Sequence, residues 1–193
     1  MENTAKIQKI NWVYLSLNAV GPILFMVAMT ALGVALPEQV GVFCAIIGFG
    51  GAVLWWSLLG RKQYEKMRDI RIGELKVQGF TCSHTFNADG NTVVVDLAHS
   101  QIALIFRWNP GKVYVRPASA LSNVCVDDGR SGAGPLAGSS RVSFLFTVEG
   151  TRVRVNTFTS NRRWRMDSDY ILTGISKADM MVETLAAAGA KRG

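Results

Sequence analysis

Two stretches near the N-terminus carry almost no polar positions. WVYLSLNAVGPILFMVAMTALGVAL runs from Trp12 to Leu36, and VGVFCAIIGFGGAVLWWSLL runs from Val40 to Leu59; neither holds a charged side chain. A helix needs about 20 apolar residues to cross the hydrocarbon core of a bilayer, and neither stretch keeps the polar face of a soluble helix. Pro37–Gln39 leaves room only for an antiparallel turn. The pattern predicts a transmembrane helical hairpin over residues 12–60. A cleaved leader does not fit, because the first stretch exceeds an h-region and a second span follows it.

The flanks give an orientation. Trp12 and Tyr14 at one end, and Trp55 and Trp56 at the other, suit an aromatic belt at the headgroups. Arg61, Lys62, Lys66, Arg68 and Arg71 follow the second span, while Lys6 and Lys9 precede the first. The turn between the spans carries Glu38 and no Lys or Arg. The positive-inside rule then predicts a multi-pass protein with both termini cytoplasmic: residues 1–11 as a cytoplasmic N-terminus, and 61–74 as a basic juxtamembrane helix or linker. Within the second span, Gly41, Ala45, Gly48 and Ala52 step by four, three and four, a small-residue face that admits another helix. Gly21, Ala28, Ala31 and Ala35 offer a similar face in the first. The partner of these faces is either the other span or a further subunit. Neither span carries an ionisable group of the kind an ion or proton pathway needs. Asn18 is the one strongly polar candidate, and Pro22 predicts a kink.

From Leu75 the period changes to two. KVQGFTCSHTF reads as a first strand with a bulge at Gly79, and Ala88–Asn91 as a turn. TVVVDL and IALIFRW read as the next two strands, with Ile102, Leu104 and Phe106 on one face. Asn109–Gly111 reads as a turn, and KVYVRP and ALSNVCVDD as strands four and five. GRSGAGPLAGSS is a loop; it lacks the spacing of a phosphate-binding loop. RVSFLFTVE alternates Val142, Phe144, Phe146 and Val148, and TRVRVNTF alternates Val153 and Val155 with Arg152 and Arg154. A closing helix carries the stripe Ile171, Ile175, Ala178, Val182 and Leu185. Ser176 and Asp179 suggest a capping box, with Gly174 as the break before it.

Charge and candidate chemistry narrow the function. The net charge is +7, from 21 Lys and Arg against 14 Asp and Glu. Beyond Arg71 the excess is only 14 against 10, mild for a nucleic-acid module, so membrane lipids and proteins rank ahead of nucleic acid as partners. Cys44, Cys82 and Cys125 show no paired spacing, and only His84 and His99 could join them; no disulfide framework, metal site or cofactor is expected. Asp127 and Asp128 are adjacent and point to opposite faces of a strand. No nucleophile with a base stands out, and no catalytic residue is assigned. The unusual surface cluster is Arg162, Arg163, Trp164 and Arg165, which suits an anionic headgroup, a nucleic-acid backbone with base stacking or an acidic partner, with nucleic acid ranked last; alternatively it is a solvated loop anchored by Trp164. With Arg61, Lys62, Lys66 and Arg68 it makes up the candidate partner- or lipid-binding set.

Seven strands followed by one helix, with TVVVDLAHSQIALI turning at Asp96 and VYVRPASALSNVCV around a proline–serine corner, resemble the bacterial pleckstrin-homology-like (PH-like) domain membrane proteins. The resemblance covers about residues 75–190. It implies a four-strand sheet, a three-strand sheet and a helix plugging one end of a barrel, behind a transmembrane hairpin in the bacterial inner membrane. Taken with the missing catalytic constellation and the small-residue faces, the expected function is a non-catalytic subunit or scaffold of a homo- or hetero-oligomeric membrane assembly, binding a protein partner. An anionic-lipid-sensing module and a phage or plasmid exclusion protein are the alternatives.

Overall fold

The structure is a computed structural model and describes residues 6–55, 60–88, 90–134 and 137–193. The chain divides into two compact units. One is helical and comprises Gln8–Arg71 with Arg107–Gly111. The other, Ile72–Phe106 with Lys112–Gly193, is mainly β and also takes in Ile7.

In the helical unit, α1 spans Trp12–Val34 and α2 spans Glu38–Leu54. Asn11 caps α1, its Oδ1 accepting from the amides of Val13 (3.0 Å) and Tyr14 (3.3 Å), which satisfies two of the orphan donors at the helix start. By length and composition α1 can cross a membrane, whereas the 17 described residues of α2 fall short of that length. Trp56–Leu59, the expected end of the second span, lie outside the described residues. Only Asn18 and Pro22 are buried along α1, and α1 runs through Pro22 as one helix.

Where the two helices meet, α2 presents mostly glycine. A Cβ on Gly41 would collide with the Gly33 carbonyl; one on Gly48 would sit 2.8 Å from Met29 Cβ, and one on Gly51 2.9 Å from Phe25. The seam of α2 is therefore Gly41, Cys44, Gly48 and Gly51, rather than the expected Gly41, Ala45, Gly48 and Ala52. Ala45 is exposed and Ala52 half-buried. The small-residue face expected in α1 also turns elsewhere: nothing lies within 4 Å of a Cβ on Gly21, and Ala28 and Ala31 are exposed.

α3 spans Gly60–Val77, three residues past the expected juxtamembrane segment, so Leu75–Val77 are helix and not strand. Gly79 ends it in a left-handed conformation (φ 87°), with Gly79 N donating to Lys76 O (3.0 Å) and Phe80 N to Leu75 O (3.0 Å). This is a Schellman cap, and its accompanying apolar contact is Phe80 with Leu75. Gly79 is thus a helix terminator and not a bulge.

The β unit holds seven strands: β1 His84–Ala88, β2 Asn91–Asp96, β3 Gln101–Phe106, β4 Asn109–Pro117, β5 Leu121–Asp127, β6 Gly138–Val148 and β7 Thr151–Arg165. β1-β2-β3-β4 form one sheet and β5-β6-β7 a second. A single 3₁₀ turn, Ala118–Ala120, joins them. β2 and β3 are buried on both faces, which is why their sequences read as unbroken apolar runs. Val93, Val95, Ile102, Leu104 and Phe106 face the main core. Val94, Ala103 and Ile105 face a second core that Ile72, Leu75 and Phe80 cover. The turn after β3 is Arg107–Trp108, so the expected turn residues Asn109–Gly111 already belong to β4, where proline is tolerated at the strand start.

α4 spans Asp169–Ala187 and buries Ile171, Ala178, Val182 and Leu185 in the main core, as its periodicity requires. Gly174 and Ser176 lie inside α4, so the helix starts earlier than the capping box suggested. A Cβ on Gly174 would stand 2.8 Å from Phe158 Cβ and 3.3 Å from Val142 Cβ. The glycine is a point of close helix–strand contact, not a break.

Candidate functional site

The Arg-Trp cluster is the end of β7, not a loop. Two irregularities shape it. Opposite Val142 and Ser143, β7 pairs through Phe158 and Asn156, leaving Thr157 as an extra residue; its hydroxyl donates to the Gly174 carbonyl (2.7 Å) of α4. Further on, Arg141 and Ser139 of β6 pair with Thr159 and Trp164. Five steps of β7 are matched by two of β6, so three residues are thrown outward. Bulges of this kind re-aim side chains, and here they separate the three arginines.

Arg162 lies over the Trp164 ring, its guanidinium carbon 3.8 Å from the centroid. Trp164 in turn meets Tyr170 of α4 at 4.5 Å between centroids, and its Nε1 donates to Ser160 Oγ (3.0 Å). Arg163 is tied into the fold through the carbonyls of Ser131 and Gly138. Arg165 forms a two-pronged pair with Asp167, at 3.1 and 2.7 Å. Among the described residues the Arg162 side chain makes no hydrogen bond or ion pair. The structure thus brings Arg162 and Trp164 together and leaves Arg163 and Arg165 committed elsewhere. Tyr170 and Ser160 complete the site. Sequence reading did not find them, since one sits in the closing helix and the other in a polar run.

The juxtamembrane cations fall on α3. Lys62 and Lys66, four apart, are exposed on one side; Arg68 is half-buried and pairs with Asp69 at 2.7 Å. The side chain of Arg61 lies outside what the structure describes.

A second polar site sits at the β2–β3 turn. Asp96 is fully buried. Its carboxylate accepts from the amides of Thr81 (2.8 Å) and His99 (3.1 Å), and lies 2.8 Å from His99 Nδ1. Burial pushes this carboxyl up, but hydrogen bonds from the His99 ring, the Thr81 amide and the His99 amide together hold it below the usual carboxylate range. His99 is therefore not isolated; it closes the turn. His84 stacks on Phe86 at 6.0 Å. Beside Asp96, burial pushes the Cys82 thiol up, which keeps it a poor nucleophile. A cleft of ≈ 300 Å³ opens here, lined by Gln78, Phe80, Asp96, His99 and Gln101. Another, of ≈ 430 Å³, lies between β1, β7 and α4, with Asn87, Phe158, Lys177 and Met181 on its walls. Among the described residues no three His, Cys, Asp or Glu side chains gather to hold a metal ion.

Asp127 and Asp128 act as turn formers. Their carboxylates accept from the amides of Gly129 (3.1 Å) and Arg130 (3.0 Å), and Asp127 also pairs with Arg154 at 2.9 Å.

No family model, no curated protein and no solved structure matches this chain.

Proposed function

We propose that this protein is a membrane-anchored, non-catalytic subunit or scaffold whose β unit binds a protein partner on the side of the membrane where the N-terminus lies. The observation that carries the anchor is Ile7. This residue is buried in the same core as Val93, Phe144 and Leu185. If α1 crosses a bilayer, the chain must cross back before Ile72 to return to the compartment that holds Ile7. α2 is the described apolar segment available. The exposed apolar surfaces of both helices support the same reading, since Leu24, Phe43, Ile46 and Phe49 all face outward and such faces need a non-aqueous cover.

The four-strand sheet, three-strand sheet and closing helix support a PH-like barrel. The small-residue seam supports a transmembrane hairpin, and the basic α3 supports a cytoplasmic placement in a bacterial inner membrane. The Arg162–Trp164–Tyr170 stack supports binding: it presents an exposed cation that pairs with no anion among the described residues.

The test is gentle extraction of the tagged full chain from its native membranes, followed by native mass measurement. A defined complex containing a second kind of chain is expected. Recovery of the monomer alone would overturn the partner-binding reading.

A further inference from the structure

We infer that the partner is engaged through a single carboxylate, an Asp or Glu side chain that enters the plane of the Arg162 guanidinium. This rests on the partner-binding reading above and names the chemistry of its contact.

The argument starts from what Arg162 has left to offer. Stacking over Trp164 occupies the face of the guanidinium and none of its N–H groups, which point outward in the plane. The stack is itself braced: Tyr170 supports the indole ring, and Ser160 fixes its nitrogen. A side chain with arginine's rotamer freedom is therefore biased toward one orientation before any partner arrives, and this lowers the entropic cost of the contact. A planar, two-pronged donor fork matches a carboxylate.

The neighbouring arginines decide between possible anions. A lipid surface is read by several cations acting together, each adding about 1 kcal/mol. A phosphate group carries nearly two charges and is usually met by a cluster. Arg163 is bound to two backbone carbonyls and Arg165 to Asp167. One singly charged fork remains, and it suits one singly charged ligand. No carboxylate of the described residues competes for it.

The test uses the full chain in its native membranes, with a photoreactive phenylalanine analogue in place of Tyr170. Cross-linking is expected to mark a partner segment that contains Asp or Glu. Arg162→Glu should weaken the complex by about tenfold, and reversing the marked acid to Arg should restore it. Arg162→Lys keeps the charge and loses the fork, so it should weaken the complex by about fivefold. Arg165→Gln should change it by less than about twofold, and melting curves report whether each variant is folded. Cross-links to lipid alone, or to a segment without an acid, would overturn the inference. So would a complex that survives Arg162→Glu, although the partner-binding reading would then stand. If no complex exists in the unsubstituted protein, both fall.

Discussion

Arg116 and Glu149 offer the sharpest test of how the two sheets are held together. Arg116 lies at the end of β4 with its side chain 4% exposed, and pairs through Nε and Nη2 with the carboxylate of Glu149 in the β6–β7 turn. Glu149→Ala removes the anion and leaves the cation in place. Stranding one member of a buried pair costs about 3–5 kcal/mol. Glu149 is 41% exposed, so water replaces part of what is lost, and Arg116 keeps its bond to the Val115 carbonyl at 2.8 Å. Glu149 has φ 50°, a strain that alanine inherits, so the backbone contributes little to the difference. The expected loss is about 2–3 kcal/mol. For a β unit of this size that is roughly 6–15 °C in the melting temperature, read by circular dichroism on the full chain in detergent. The second variant decides the reasoning. Adding Arg116→Met removes the stranded charge and should recover the protein to within about 1 kcal/mol of the parent. If the double variant melts as low as Glu149→Ala, the loss does not come from a buried cation stripped of its carboxylate.

Other outcomes follow from single contacts. Gly174→Ala gains about 1 kcal/mol of helix propensity but forces a methyl against Phe158, an overpacking cost of about 1–3 kcal/mol; a lower melting temperature is expected. Gly41→Leu should separate α1 from α2, seen as lost cross-linking between cysteines placed along the seam, whereas Gly21→Leu should leave it intact. Asp96→Asn should cost about 1–3 kcal/mol near neutral pH, as the Thr81 and His99 amides lose a charged acceptor. The folded-state value of Asp96 lies below its unfolded one, so its contribution is full above about pH 4 and disappears as the pH falls through the depressed value. The melting difference between parent and Asp96→Asn should shrink in acid.

Much of this fold is legible from residue spacing alone. The apolar run Trp12–Leu36, the alternation of Val142, Phe144, Phe146 and Val148, and the stripe from Ile171 to Leu185 each admit one regular element. The errors come where a local pattern satisfies two periods. Leu75 and Val77 alternate like a strand, yet Ile72 and Leu75 are also one helical turn apart, and only the cap at Gly79 resolves the choice. Asn109–Gly111 has turn chemistry, but the strand register places the turn two residues earlier. In the Arg-Trp segment the composition was visible and the geometry was not. Which arginine remains open depends on two bulges set by pairing with β6, and no spacing rule contains that.

The place of Ile7 has a consequence for the order in which the molecule is completed. Its core neighbours begin near Phe86 and end beyond Leu185. Close by, Asn109 Nδ2 reaches back across 101 positions to the Gln8 carbonyl, and the Asn11 amide donates to the Trp108 carbonyl. At a synthesis rate of about 5–20 residues per second, Gln8 waits roughly 5–20 s for its partner to be made. Closing so long a loop is slow relative to forming the local β turns. The segment around Gln8 therefore waits on a contact whose other half is made long after it.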